Sequence, residues 1–133
     1  MIKIVFITVR YHYSPSITIP SKAHFLASFL VSDVGVGSKC IQFFLERFEK
    51  PEYDAASMNA TQYTNENGIV TFTFEPEDED EGIKAGRYFQ IEAKTVAQVL
   101  RGWAQVVKEK PQSIEITIDG DDVKVIGVGK RAE

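Results

Sequence analysis

Residues 65–82, NENGIVTFTFEPEDEDEG, carry three structural signals in succession. The triplet ENG at 66–68 is typical of a tight turn between two strands. Val70, Phe72 and Phe74 then share one face of a predicted strand over 69–75, because successive side chains of a strand point to opposite faces. This stretch therefore predicts a hairpin with one apolar face, whose second arm runs directly into a dense group of acids.

Other segments of the chain repeat the strand signal on both sides of this hairpin. The N-terminal run is almost continuously apolar and β-branched, which is typical of a strand buried on both faces. The segment after the acids is expected to pair with 69–75, and the last two segments form a hairpin around the turn DGDD. The further predicted strands are 2–13, a short edge piece at 17–19, 58–64, 87–93, 113–118 and 122–128.

Three helices are predicted from apolar residues that recur every three or four positions. They cover about 22–31, 39–50 and 96–110, and Ser21, Ser38 and Thr95 are the predicted N-caps. The third helix has the clearest apolar stripe, formed by Val96, Val99, Leu100, Trp103, Val106 and Val107.

The resulting order of elements, β-α-α-β-β-β-α-β-β, indicates an α+β fold in a single domain over 1–133. We expect a mostly antiparallel sheet with about three helices packed on one face, because neighbouring strands in the sequence form hairpins. The strand order does not follow from the sequence. Cys40 is the only cysteine, which excludes an internal disulfide, and no apolar run reaches the roughly 18 residues of a membrane span. A cytoplasmic location without membrane association is the resulting expectation.

The acidity of the chain is concentrated in one place. The formal net charge is −4, from 15 basic and 19 acidic residues. Without the six acids at 75 and 77–81, the net charge would be −4 + 6 = +2. Because like charges repel, the sequence predicts a mobile, extended loop at about 76–86. The six acids, which form the predicted partner-binding site, are Glu75, Glu77, Asp78, Glu79, Asp80 and Glu81.

Catalytic and metal signatures are absent from the sequence. A calcium loop that used Gly82 as its turn glycine would place Tyr88 where a bidentate acid is required. Adjacent acids on a hydrated loop keep ordinary pKa values, which argues against general-acid catalysis. His12 and His24 show no metal-ligand spacing, and Cys40 is expected to be a small apolar residue on a helix face. No catalytic residue, metal or cofactor is therefore predicted.

Phosphate and nucleic-acid binding are also disfavoured. The segments GVGSK at 35–39 and GVGK at 127–130 do not complete a P-loop or a dinucleotide fingerprint. The basic residues are scattered, and the acidic segment would repel a phosphate backbone. No nucleic-acid partner is predicted.

The preferred interpretation is a non-catalytic protein-binding module whose acidic segment docks on a basic protein. By analogy of class, such a module suits a bacterial immunity protein or antitoxin that occludes a basic toxin, for instance a nuclease, since dense acids compete with phosphate. Several alternatives stay open. They are a solvated loop without a partner, a small enzyme or ligand-binding domain with a cleft, a subunit of an oligomer that associates through the Trp103 helix or an exposed strand, and a sheet edge at 58–64 or 122–128 that accepts a strand.

Overall fold

A computed structural model describes residues 1–10, 12–16 and 20–130 of the chain. The eight strands are β1 (Ile2–Val9), β2 (His12–Pro15), β3 (Asp54–Ser57), β4 (Thr61–Glu66), β5 (Ile69–Phe74), β6 (Phe89–Glu92), β7 (Ser113–Asp119) and β8 (Asp122–Val128). The helices are α1 (Ala23–Ser28), which continues as a π-helical segment (Phe29–Val34), α2 (Ser38–Glu49), α3 (Glu79–Lys84) and α4 (Ala93–Val107).

The strands form two antiparallel sheets of four strands each. The first sheet has the order β2-β1-β7-β8 and joins the two ends of the chain. The second sheet is a meander in sequence order, β3-β4-β5-β6. In the hairpin of β4 and β5, Asn65 pairs with Val70 and Tyr63 with Phe72. Asn67 and Gly68 form its turn with φ angles of 54° and 79°, a conformation that asparagine and glycine tolerate best.

One hydrophobic core connects the two sheets and the helices. The inward face of the first sheet contributes Ile4, Phe6, Ile114 and Ile116, all without solvent exposure. Phe29, in the π-helical segment, lies against Phe72 of the second sheet with ring centroids 5.1 Å apart. Because α1 also contacts strands of both sheets, the core is continuous across the fold.

Helix α4 approaches the first sheet closely because glycines remove side chains at the contact. A Cβ atom on Gly102 would lie only 2.6 Å from Cγ2 of Val125 in β8. A Cβ on Gly127 would meet the ring of Pro111 at 2.8 Å. Larger residues at these two positions would therefore push α4 or β8 away from its neighbour.

The α+β class and the antiparallel pairing predicted from the sequence are confirmed, including the contact between 69–75 and 87–93. The strands divide into two sheets, however, where one was expected. The edge piece predicted at 17–19 lies outside the described residues. None of the described helices is long and apolar enough to cross a membrane.

Four local predictions need correction. The predicted strand 2–13 is divided into β1 and β2, which pair antiparallel with Val9 opposite His12. Residues 54–57 form a strand, β3, in a stretch for which no strand was predicted, and β3 covers the 58–64 segment so that β4 is an inner strand. Helix α4 begins at Ala93, which places Thr95 inside the helix instead of at its cap. Lys22 and Gly37 occupy the N-cap positions predicted for Ser21 and Ser38.

Candidate functional site

The acidic segment, residues 75–81, folds in part into a short helix, and the prediction of an extended loop is wrong for its second half. Asp78 caps α3 by accepting a hydrogen bond of 3.2 Å from the backbone N–H of Glu81. Glu79, Asp80 and Glu81 form the first turn, where the positive end of the helix dipole favours carboxylates. The spacing of Asp78 and Glu81 is that of a capping box, a signal present in the sequence.

An ion pair fixes the start of this segment. The guanidinium of Arg87 donates three hydrogen bonds of 2.6 to 3.0 Å to the carboxylate of Glu77. These bonds from Arg87 hold the pKa of Glu77 below its ordinary value, and the same contact raises the pKa of Arg87. The backbone N–H of Arg87 also donates to the carbonyl of Gly82, at 2.8 Å. Arg87 thus closes the segment into a compact hairpin-like turn around α3.

The segment rests on a polar face of the second sheet. The side-chain amide of Gln62 donates to the carbonyl of Glu77, and the hydroxyl of Ser57 donates to the Glu75 carboxylate. Helix α3 also contacts β5, which carries the buried Thr71 and Thr73. The Thr73 hydroxyl has no hydrogen-bond partner among the described residues. Polar contacts therefore hold the segment in place.

The six predicted acids differ in how their charge is used. Glu77 is neutralised by Arg87, Glu75 binds Ser57 and Asp78 caps the helix. Glu79, Asp80 and Glu81 lie together on one turn and take part in no ion pair among the described residues. Partial burial raises the pKa of Glu79, and the neighbouring Asp80 and Asp78 carboxylates raise it further. Three adjacent carboxylates thus form no ion pair among the described residues, although Glu81 lies near enough to Arg87 to help raise the pKa of that guanidinium.

We expect Glu79→Gln to raise the free energy of unfolding at pH 7 by about 0.5 kcal/mol or less, a range ordinary for partly exposed sites. The folded-state pKa of Glu79 lies above its unfolded value, so its ionised form disfavours the fold and its protonated form does not. The gain should be present at neutral pH and vanish as the pH falls through this raised pKa. Urea unfolding of the wild type and the variant at pH 7 and at a pH below the pKa of Glu79 checks this. A gain that persists at the lower pH would contradict the prediction.

Two exposed apolar side chains flank the acids in the sequence. Phe74, which precedes the segment, is 36% exposed, and Ile83 of α3 is 37% exposed. The Phe74 ring stacks on Phe25 of α1 with centroids 4.1 Å apart and an interplanar angle of 22°. This stacking holds Phe74 on the face of β5 that α1 covers, while Ile83 is the exposed apolar side chain on the same short helix as the three carboxylates.

The remaining candidates from the sequence are not brought together. His12 is exposed, His24 is half-buried, and the Cys40 side chain is exposed, where a buried apolar role was expected. Over the described ranges, no group of three or more histidine, cysteine, aspartate or glutamate side chains has the arrangement of a metal site. Trp103 has no exposed surface, so it cannot supply an oligomer contact.

A polar network that the sequence did not reveal joins α2 to the second sheet. Arg47 pairs with Asp54 through bonds of 2.5 and 2.8 Å, and the Tyr63 hydroxyl donates to the same carboxylate at 2.8 Å. The bond from Arg47 lowers the pKa of Asp54, while burial raises the pKa of Tyr63. A cavity of about 310 Å³ lies beside this network, between Phe43 and Tyr53.

The charges of this network are paired with each other, so they do not provide the cavity with a reactive acid, base or nucleophile. Arg47 and Asp54 neutralise each other, and the raised pKa of Tyr63 keeps its hydroxyl protonated at neutral pH. The network therefore stabilises the junction between α2 and β3. The acidic segment, whose Glu79, Asp80 and Glu81 form no ion pair among the described residues and which continues into the exposed Ile83, is the stronger candidate for a functional surface.

Comparisons with protein-family models, with curated proteins and with solved structures found no match to this chain.

Proposed function

We propose that this protein is a non-catalytic binding module that docks a basic protein through the acidic turn of α3. The observation that carries the proposal is the group of three adjacent carboxylates, Glu79, Asp80 and Glu81, which form no ion pair among the described residues and lie on a turn held by Asp78 and Arg87. A surface fixed in this way loses little conformational freedom on binding, which favours affinity. The field of the three charges attracts a partner of opposite sign over a distance of several ångströms.

The exposed apolar neighbour of the charges supports a protein as the partner in preference to a simple ion. Ile83 lies on the same short helix as the charges and is exposed, and protein interfaces combine an apolar centre with a polar rim. A small cation would use the carboxylates alone. A basic protein can use both the carboxylates and the apolar side chain.

The biological setting that fits this chemistry best is an immunity protein or antitoxin. Such a protein neutralises a basic toxin, such as a nuclease, by occupying the site that binds phosphate. Carboxylates on α3 would take the positions of phosphates, and steering by their charge would make association fast and sensitive to salt. The absence of a catalytic constellation in the sequence supports a role in occlusion.

We expect neutralisation of the turn, by Glu79→Gln, Asp80→Asn and Glu81→Gln together, to weaken binding to the basic partner at least about 1,000-fold. Close charge pairs across an interface contribute about 1.5 kcal/mol or more each. The measurement starts with parallel captures from a lysate of the source organism on the wild-type and neutralised proteins. Proteins held only by the wild type are identified by mass spectrometry, purified and titrated at low and at physiological salt.

A matched control removes three negative charges elsewhere, by Glu46→Gln, Glu52→Gln and Glu109→Gln, all at exposed positions. This variant should bind the partner nearly as well as the wild type. Equal binding by the wild type and the turn variant would overturn the role of α3. Equal weakening by both variants would show that net charge matters and that this particular surface does not.

A further inference from the structure

We propose that β8 pairs antiparallel with β8 of a second copy of this chain, which would join two first sheets into one continuous sheet of eight strands. Strand β8 is hydrogen-bonded to β7 on one side, and no strand within residues 1–10, 12–16 or 20–130 lies on its other side. Helix α4 covers one face of the strand, where Gly102 meets Val125, and does not replace the missing strand. Unpaired edges of this kind present backbone donors and acceptors to other chains.

Among the sheet edges that the structure describes, β8 is the one best suited to self-pairing. It is seven residues long and contains no proline. The other edges, β2, β3 and β6, have four residues each. In β3 the Arg47 guanidinium also donates to the carbonyl of Ala55 at 3.2 Å, which protects that edge. β2 contains Pro15, which has no N–H to donate.

The charges on β8 select the direction and register of pairing. Antiparallel pairing of the whole strand with its copy places Val125 opposite Val125, Lys124 opposite Ile126 and Asp122 opposite Val128. No like charges meet in this register. In-register parallel pairing would instead set Asp122 against Asp122 and Lys124 against Lys124, which is unfavourable.

Neighbouring antiparallel registers are less suitable. A shift of the symmetry point to Lys124 would place the two Lys124 side chains opposite each other. A shift of the symmetry point to Ile126 would place Val123 opposite Gly129, whose φ angle of 68° turns the chain out of the strand. The register centred on Val125 pairs the full length of β8 without either defect.

Pairing would also cover apolar surface on the outer face of the first sheet. Ile126 and Val128 are 50% and 47% exposed. In the proposed register the aliphatic stem of Lys124 from one copy packs on Ile126 of the other, while its ammonium group stays in water. The acidic segment rests on the second sheet, so self-association and partner binding use separate surfaces, and each proposal can fail without the other.

Charge substitutions at Ile126 test the register, because this residue lies opposite Lys124 of the second copy. We expect Ile126→Asp to self-associate at least about tenfold more tightly than Ile126→Lys, since two pairs change from attraction to repulsion. Sedimentation equilibrium over a wide range of protein concentration measures both. The double substitution Lys124→Ile with Ile126→Lys keeps the composition and again places a lysine opposite an isoleucine. Its dimerisation should therefore match that of the wild type.

Ile7→Asp and Ile7→Lys provide the matched control, because Ile7 is 46% exposed on β1, away from the edge. These two variants should dimerise equally. Thermal unfolding verifies that every variant is folded. A wild-type protein that stays monomeric at all concentrations would overturn the proposal, and so would equal association of the Asp and Lys variants at Ile126.

Discussion

Trp103→Ala is expected to lower the free energy of unfolding by about 3 to 5 kcal/mol, the usual cost of removing a large aromatic side chain from a core. Trp103 has no exposed surface. Its ring packs edge-on against Phe6 of β1 with centroids 5.1 Å apart, and its indole N–H donates to the Gly35 carbonyl at 2.8 Å. The substitution would leave a cavity between α4 and the first sheet and an unpaired carbonyl at the end of the π-helical segment.

Urea unfolding measured by far-ultraviolet circular dichroism gives this difference, because the variant lacks the only tryptophan. Trp103→Phe is the matched control: it keeps most of the ring packing but loses the bond to Gly35. We expect the control to lose roughly 1 to 3 kcal/mol, the range for leaving a buried polar group unpaired. If the alanine variant lost no more than the phenylalanine variant, the ring packing would be unimportant and the prediction would be wrong.

Phe29→Ala should have an effect of similar size, about 3 to 5 kcal/mol, on the opposite side of the core. Phe29 is completely buried, and four aromatic rings surround it. Their centroids lie between 5.1 and 6.5 Å from its own, a distance at which edge-on and tilted ring pairs are favourable. The four rings belong to Phe44, Phe48, Tyr63 and Phe72.

Phe43→Ala is the control for this variant, because Phe43 carries the same side chain at 52% exposure. It should cost no more than about 1 kcal/mol, as expected for an incompletely buried ring. Because Phe29 packs on the second sheet and Trp103 reports on the first, unfolding of Phe29→Ala can be followed by both tryptophan fluorescence and circular dichroism. Coincident curves are expected from one continuous core, and separate transitions would show that the two sheets unfold independently.

The local elements of this fold follow from the sequence to a large extent. The hairpin around Asn67 and Gly68, the closing hairpin and the amphipathic helices all rest on short-range signals, and the structure contains each of them. The boundaries differ by a few residues, as for α4, which begins at Ala93 because the strand before it ends at Glu92. Threonine is a common N-cap residue, which is why Thr95 was predicted as the cap of α4. The helix begins two residues earlier, so Thr95 lies in its first turn.

The division into two sheets could not be predicted, because it depends on pairing between residues far apart in the chain. Strand β1 pairs with β7, and no local pattern near Ile4 names Ile116 as its partner. The strand β3 was missed for a related reason. Its sequence, DAAS, has low β-propensity, and its formation relies on pairing with β4 and on the bonds from Arg47.

The candidate site was located by composition, but its internal structure was not. Six acids in seven residues draw attention to the segment, while the count alone does not separate those that are paired from those that are free. Arg87 is six residues beyond Glu81, and only the fold shows that it binds Glu77. The capping relation of Asp78 to Glu81 is present in the sequence, but the prediction of an extended loop rested only on the repulsion of like charges.

The arrangement of the two sheets also bears on how the chain acquires its structure during synthesis. All four strands of the second sheet lie within residues 54–92, so this sheet can form while the rest is still being made. The first sheet has β1 near the start, yet β1 needs β7, which is more than a hundred residues further along. Until that hairpin emerges, one edge of β1 has no partner strand. Contacts of such long sequence separation form slowly, so we expect the closing hairpin to complete the fold last.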